Sequence, residues 1–200
     1  MNMTLLFLIF ASYLIGSLSF AIIISKACHL PDPRTFGSCN PGATNVLRSG
    51  NKKAAVLTLI GDAAKGWFPV FLAQKLTWLP GMSPSAIAWV AIATFIGHLY
   101  PIYFQFRGGK GVATALGILL AFSIKLGICV TFVWLIVAKI FRISSLSALT
   151  AAFSSPFFAL LFLPEHSWRW SVCIIAVMLI LRHKSNIQKL ISGKESRISN

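Results

Sequence analysis

The strongest constraint on this chain is its first apolar segment, because no charged side chain occurs between Met1 and Ser25. Leu5 to Ser25 alone is long enough to cross roughly 30 Å of hydrocarbon as an α-helix. A cleaved signal peptide would carry a positively charged region ahead of its apolar segment, and none stands there. The sequence therefore predicts a transmembrane helix at this position.

Further apolar segments follow along the chain. They span Ala54–Leu76, Ser85–Phe106, Val112–Ile124, Leu126–Ala138, Leu146–Leu163 and Trp168–Leu181. The chain is 56% hydrophobic and only 11% charged, which is more apolar than a soluble domain. We therefore expect an all-α membrane protein, a compact bundle of about seven transmembrane helices, some of them short. No repeat or linker divides the sequence, so residues 1–200 are expected to form a single domain.

The distribution of basic residues predicts how these helices are oriented. The chain carries 18 Lys and Arg against four Asp and Glu, a net charge of +14. This excess would indicate nucleic acid binding in a soluble domain, but cytoplasmic loops of membrane proteins also retain Lys and Arg, so no nucleic acid partner is expected. Seven helices, with the N-terminus outside and the C-terminus cytoplasmic, place most basic residues inside and the loop around Gly81 outside. Joining the two short segments between Val112 and Ala138 into one helix would instead export the basic tail.

The connection after the first helix contains a segment suited to binding an oxyanion, F-G-S-C-N-P-G-A-T-N-V-L-R at 36–48. Glycine lets backbone N–H groups converge on one anion, hydroxyl and amide side chains add donors, and arginine adds a bidentate charge. The candidate residues are Ser38, Asn40, Gly42, Thr44, Asn45 and Arg48. The alternative interpretation is an ordinary turn of small polar residues ahead of the next helix.

A second candidate segment, F-R-G-G-K-G-V-A-T at 106–114, places Gly108, Gly109, Lys110 and Gly111 immediately before a predicted helix. A helix N-terminus favours anions through its free N–H groups and its dipole. The segment is not a Walker A loop, because the glycine spacing is too short and no hydroxyl residue follows the lysine. The alternative is a tight turn between helices with a cytoplasmic lysine.

The third candidate segment runs from Arg182 to Glu195. His183 and Asn186 are three positions apart, so they would share one side of a helix continuing from the last span. The alternative is a basic amphipathic tail lying on anionic lipid, which explains the lysines of this segment but not the histidine or the asparagine.

Ionisable residues inside the predicted helices form another candidate group. Asp62 and Lys65 are three positions apart and can form an ion pair, with either a structural or a functional role. His98, in the sequence G-H-L-Y-P, is expected to be a buried, hydrogen-bonded histidine more readily than a catalytic one. The four cysteines show no C-x-x-C spacing, and neither a metal site nor a cofactor is predicted.

Together the three candidate segments closely resemble the motifs of the bacterial membrane-integral acyl-phosphate:glycerol-3-phosphate acyltransferase family. The motifs of that family read like N-x-G-A-T-N-V-x-R, G-H-x-x-P followed by G-G-K-G-V-A-T, and R-H-x-x-N-I, and the likeness covers nearly the whole chain. Ser19, where many relatives have proline, and Cys39, where glycine is common, depart from the pattern. Cys39 should restrict the backbone beside Ser38.

The resemblance implies an activity as well as a set of residues. The reaction is transfer of a fatty acyl group from acyl phosphate to the 1-hydroxyl of sn-glycerol-3-phosphate, giving lysophosphatidic acid and phosphate at the start of phospholipid biosynthesis. The partners are acyl phosphate, glycerol-3-phosphate and membrane lipid, and the active site faces the cytoplasm at the bacterial inner membrane. The implied catalytic residues are Ser38, Arg48, Lys110, His183 and Asn186. The implied substrate-binding residues are Asn40, Gly42, Thr44, Asn45, Gly108, Gly109 and Gly111.

Two questions stay open at the level of sequence. The proton of the glycerol hydroxyl could pass to His183 or to a phosphate oxygen of the acyl phosphate, because no histidine is followed five residues later by aspartate. A small phosphate or organophosphate transporter would also need basic, glycine-rich loops, although no inverted repeat is visible. A non-enzymatic lipid-binding protein would leave both glycine-rich loops unexplained.

Overall fold

The structure is a computed structural model that describes residues 3–80 and 82–198, so Gly81 of the predicted outer loop lies outside the described residues. This part of the chain is helical and contains no strand. The helices are α1 Met3–Gly16, α2 Phe20–Ala27, α3 Ala43–Leu47, α4 Lys52–Lys75, α5 Pro84–Leu99, α6 Val112–Phe122, α7 Ile124–Phe141, α8 Ser144–Phe162, α9 His166–Arg182 and α10 Lys184–Ile191.

Each apolar segment predicted from the sequence forms helical structure, which confirms the all-α membrane fold. Helices α4, α7 and α8, and α5 with the following short 3-10 turn, are long and apolar enough to cross a membrane. Two bent pairs, α1 with α2 and α9 with α10, reach that length together, and α6 is a shorter apolar helix. Many large apolar side chains point outward, such as Phe153 at 80% exposure, as expected for a surface that contacts lipid.

The first segment, predicted as one helix from Leu5 to Ser25, is instead broken. Helices α1 and α2 meet at an angle of 43°. Gly16 packs directly on the backbone of Thr94 in α5, where an added Cβ would lie 2.1 Å from the Thr94 carbonyl oxygen. The Lys65 ammonium donates to the Leu18 carbonyl, which the break leaves without a helical partner. Contacts with two other helices therefore stabilise the bend.

The segment between Val112 and Phe141 forms two helices, as predicted. The break is at Ser123, whose extended backbone (φ −160°, ψ 125°) ends α6 and begins α7. Its side chain accepts from the Leu126 N–H and so caps α7. Lys125, at which the sequence placed the break, belongs to the first turn of α7.

Small residues bring α4 and α6 into close contact. A Cβ on Gly117 would lie 1.9 Å from the Ala63 carbonyl oxygen, and one on Gly66 would lie 2.2 Å from that of Thr114. Such approach of two backbones is typical of helix interfaces in membranes, where packing replaces the hydrophobic effect as the driving force. It fixes the start of α6, and with it the glycine-rich loop at 108–111, against α4.

Candidate active site

The three segments singled out in the sequence meet around one cavity of about 600 Å³, a volume usual for small-molecule sites. Its depth lies among α6, α7, α8 and α9, and its mouth is formed by the polar loops. The predicted residues that border it are Ser38, Asn40, Gly42, Thr44, Asn45, Arg48, Asp62, His98, Lys110, Gly111, His183 and Asn186. Gly108, Gly109 and Lys65 do not border it.

The first loop owes its shape to Asn45, which is 2% exposed. Its side-chain oxygen accepts from the Ser38 N–H at 2.9 Å, and its amide nitrogen donates to the carbonyls of Pro33 at 2.6 Å and Phe36 at 3.1 Å. These bonds hold Ser38 at the cavity. The geometry therefore gives Asn45 a positioning role, and its direct contact with substrate stays a prediction.

The same loop is attached to the start of α8. The hydroxyl groups of Thr44 and Ser144 lie 3.2 Å apart and share a hydrogen bond. The Gly42 N–H donates to the Asn40 carbonyl at 2.9 Å, and Gly42 is the residue directly before α3. Residues far apart in sequence thus form one wall of the mouth.

Cys39 adopts a left-handed conformation with φ of +53°, which is costly for a residue that carries a Cβ. The backbone restriction that the sequence predicts beside Ser38 therefore takes the form of a positive φ at Cys39.

Replacing Cys39 with glycine should raise the stability of the protein by about 0.5–1 kcal/mol, because glycine reaches this region without the steric cost. Thermal unfolding in detergent would measure the gain. Cys39→Ala is the matched control, since it removes the thiol but keeps the Cβ, and an equal gain from alanine would contradict the explanation.

The glycine-rich loop splits into two parts. Gly108 and Gly109 pack against the end of α5, where a Cβ on Gly108 would lie 2.1 Å from the His98 carbonyl oxygen, and the Gly109 N–H donates to that oxygen at 3.2 Å. Their own carbonyls accept from Arg182 at 3.1 and 3.3 Å. Close packing accounts for these two glycines, and their contact with substrate stays a prediction. Gly111, with φ of +87°, turns the chain into α6 at the cavity.

Lys110 is oriented by a relay of hydrogen bonds. Its ammonium donates to the side-chain oxygen of Asn186 at 2.5 Å, and the Asn186 amide nitrogen donates to Glu195 Oε1 at 2.7 Å. The Ser145 hydroxyl donates to the same carboxylate oxygen at 2.9 Å. Burial lowers the pKa of Lys110, an effect that the nearby Glu195 carboxylate opposes. Both ends of the Asn186 amide are therefore engaged, and its oxygen faces the lysine.

His183 lies at the turn between α9 and α10, which meet at 59°. The continuous helix predicted here is wrong, but the bend keeps both His183 and Asn186 at the cavity. The Nδ1 atom of His183 lies 2.8 Å from the Leu179 carbonyl oxygen. Because a carbonyl only accepts, Nδ1 carries the hydrogen, and Nε2 is the accepting nitrogen of the neutral ring. Burial lowers the pKa of His183 to about 4, so the ring is neutral at pH 7.

The C-terminal tail covers part of the mouth. Arg48 donates to the Ser196 hydroxyl at 2.5 Å, and the Ile198 N–H donates to the Arg142 carbonyl at 2.7 Å. The tail also brings Glu195 to the cavity, a residue whose role the sequence did not reveal. The signal available was that Glu195 is one of only four acids in a strongly basic chain. The basic side chains that border the cavity are Arg48, Lys110, Lys189, Lys194 and Arg197.

A buried polar cluster lies beneath the glycine-rich loop. Lys65 and Asp62 form the predicted ion pair, with the ammonium 2.8 Å from Asp62 Oδ1. His98 is 6% exposed and its Nδ1 lies 3.0 Å from the Thr114 hydroxyl, which confirms the expected buried, hydrogen-bonded histidine. The ion pair and the hydrogen bond lower the free-energy cost of burying these polar groups in the membrane-spanning part. The cluster draws its residues from α4, α5 and α6.

The chain matches a protein-family model described as glycerol-3-phosphate acyltransferase over residues 6–193. It is 58% identical over 187 residues to a glycerol-3-phosphate acyltransferase of Neisseria meningitidis serogroup C (strain 053442), a match that covers 94% of each chain. It is 57% identical over 188 residues to the enzyme of that name from Ralstonia nicotianae (strain ATCC BAA-1114 / GMI1000), covering 94% of this chain and 91% of the relative.

Comparison with solved structures indicates the same family. The fold superposes with a TM-score of 0.90 and 36% identity on the crystal structure of PlsY (YgiH), an integral membrane glycerol 3-phosphate acyltransferase, in its glycerol 3-phosphate form. That match covers 98% of this chain and 96% of the other. The lysophosphatidic acid form of that protein matches with a TM-score of 0.88. The chain is thus a multi-pass membrane protein that belongs to the glycerol-3-phosphate acyltransferase family.

Proposed function

We propose that this protein transfers a fatty acyl group from acyl phosphate to the 1-hydroxyl of sn-glycerol-3-phosphate, giving lysophosphatidic acid and phosphate. The observation that carries the proposal is a single cavity that joins a cationic mouth to an apolar depth. An acyl phosphate has this same division, with an anionic head and a hydrocarbon chain. The solved relative described in a glycerol 3-phosphate form and a lysophosphatidic acid form supports the acceptor and the product.

The charges at the mouth suit a reaction with two phosphate groups. Arg48 and Lys110 both border the cavity and reach it from different loops. Guanidinium and ammonium groups form charge-assisted hydrogen bonds with phosphate oxygens, and such bonds are stronger than neutral ones. We assign one phosphate to each of these side chains, with Ser38, His183 and Asn186 orienting the glycerol-3-phosphate.

The chemical step needs no covalent intermediate on the protein. An acyl phosphate is a mixed anhydride that is already activated, so the glycerol 1-hydroxyl oxygen can attack the acyl carbon directly. The bond from that carbon to the phosphate oxygen then breaks, the electron pair leaves with the phosphate, and the hydroxyl proton is transferred to a phosphate oxygen. The protein contributes by positioning both substrates and by stabilising negative charge.

The substrate phosphate is a better proton acceptor here than His183. An effective general base has a pKa near the working pH, whereas burial lowers the pKa of His183 to about 4. The phosphate oxygen becomes more basic as its bond to the acyl carbon breaks, because the departing phosphate takes the electron pair of that bond. We therefore assign His183 Nε2 to accepting a hydrogen bond from the 2-hydroxyl of glycerol-3-phosphate. This bond orients the acceptor and leaves the proton of the attacking 1-hydroxyl free to pass to the phosphate oxygen.

The orientation of the protein follows from its charges. Because cytoplasmic loops retain Lys and Arg, the basic mouth of the cavity is assigned to the cytoplasmic side of the bacterial inner membrane. The N-terminus is then outside and the C-terminus inside. Residues 1–200 act as one domain, since the site draws on loops from both halves of the chain.

A comparison of acyl donors tests the proposed reaction. Purified protein should form lysophosphatidic acid from palmitoyl phosphate and labelled glycerol-3-phosphate, and should form none from palmitoyl-CoA under the same conditions. Thin-layer chromatography of the labelled lipid would measure both. Equal rates with the two donors would contradict the assignment of acyl phosphate as the substrate.

A further inference from the structure

The apolar part of the cavity ends inside the helix bundle, among α6, α7, α8 and α9. On α8 the cavity is bordered on one side of the helix by small residues, Ala148, Ala151, Ala152 and Ser155. Ser144 at the mouth and Ser155 at the inner end both border it, which corresponds to a depth of about 16 Å at 1.5 Å per residue. Leu119 of α6, Val130 of α7 and Val172 of α9 complete the inner end, the floor of the cavity.

One helical turn further from the mouth, α6 and α9 contact each other through two aromatic side chains. Phe122 lies three residues after Leu119 in α6, and Trp168 lies four residues before Val172 in α9. Their rings stack with centroids 5.1 Å apart and an interplanar angle of 19°. Neither residue borders the cavity. The Trp168 indole N–H donates to the Pro84 carbonyl at 3.0 Å, which fixes the ring. The stacked rings therefore lie beneath the floor, where we refer to them as the plug.

We propose that Ser155, with the Phe122 and Trp168 plug below it, sets the length of the acyl chain that the enzyme accepts. The inference rests on the proposed function, because it takes the occupant to be the hydrocarbon chain of the acyl phosphate. With the anionic head held at the cationic mouth, the methyl end of the chain points toward this floor. A chain that is too long must displace packed rings, and one that is too short leaves apolar surface uncovered.

The expected discrimination between acyl chains of different length can be estimated from the free energy of burying one methylene group. One methylene more or less in an apolar pocket changes kcat/KM by roughly 10- to 200-fold. Ser155 is 4% exposed and Val172 is 1% exposed, so the floor is shielded from solvent. A larger side chain at position 155 should therefore shorten the accepted chain without affecting the mouth.

The first test is Ser155→Leu, assayed with an equimolar mixture of saturated acyl phosphates of increasing length and with mass spectrometry of the lysophosphatidic acids. The product ratio should shift by about tenfold or more from the wild-type length toward shorter chains, while KM for glycerol-3-phosphate stays unchanged. Ser154→Leu is the matched control, because Ser154 is the adjacent serine of α8 and does not border the cavity. It should keep the wild-type profile.

The second test moves the floor the other way. Phe122→Leu removes part of the plug and should shift the products toward longer chains, opposite to Ser155→Leu. An unchanged profile in Ser155→Leu protein that still transfers acyl groups would overturn the chain-length proposal and leave the proposed function intact. Absence of transfer from every acyl phosphate by the wild-type protein would overturn the proposed function itself and this inference with it. The same shift in Ser154→Leu as in Ser155→Leu would also overturn the role of the floor.

Discussion

Lys110→Ala should lower kcat/KM for glycerol-3-phosphate by roughly 10- to 150-fold, because a charge-assisted hydrogen bond contributes about 1.5–3 kcal/mol. Lys110 is held at the cavity by Asn186, and the orientation of that amide is fixed in turn by Glu195. A phosphate oxygen at this position would meet a lysine that is already oriented and partly desolvated. Steady-state kinetics with saturating acyl phosphate would measure the loss.

Lys53→Ala is the matched control for this experiment. Lys53 is an exposed lysine at the start of α4 and does not border the cavity. Its removal lowers the net charge equally but should leave kcat/KM close to that of the wild type. Near-normal kinetics in folded Lys110→Ala protein would contradict phosphate binding by this residue.

His183→Gln should raise KM for glycerol-3-phosphate by about 5- to 30-fold while kcat at saturation stays measurable, since loss of one orienting hydrogen bond costs about 1–2 kcal/mol. The acidic limb of the pH profile should remain near pH 6, because it belongs to the substrate phosphate. In the wild-type protein the imidazole gains a proton only as the pH falls toward about 4. Its titration should therefore leave activity near neutrality unaffected.

The contrary outcome for His183 has a clear signature. If the imidazole were the chemical base, kcat would fall by roughly 10²- to 10⁴-fold, and the limb would vanish from the residual activity. That result would contradict proton transfer to the substrate phosphate but not the overall reaction. His166→Gln provides the control, because it makes the same substitution at the exposed opposite end of α9.

The positions of the helices were predictable because two simple rules govern them. A continuous run of about 20 apolar residues forms a helix in the bilayer, because a helix satisfies its backbone groups within one segment, whereas a barrel strand has about ten residues of alternating polarity. Bends were not predictable from the same rules. The break after Gly16 depends on contact with Thr94 and on the bond from Lys65 to the Leu18 carbonyl, which join distant parts of the chain.

The residues that border the site were easier to predict than the structural role of each one. Hydroxyl, amide and basic side chains in glycine-rich loops indicated phosphate binding, and most of them do border one cavity. The local pattern could not show that Asn45 is engaged with its own loop, or that Gly108 packs on the end of α5. The role of Glu195 could not be predicted, because its partners, Asn186 and Ser145, become neighbours only when the tail folds back.

We propose that acyl transfer and phosphate release are one reaction at this cavity. The most direct measurement follows labelled glycerol-3-phosphate and inorganic phosphate together in purified protein supplied with palmitoyl phosphate. We expect equal amounts of lysophosphatidic acid and phosphate at all times, with both rates falling by the same factor in Lys110→Ala protein. Phosphate release without acylated product, or uptake of unmodified glycerol-3-phosphate by vesicles containing the protein, would contradict it.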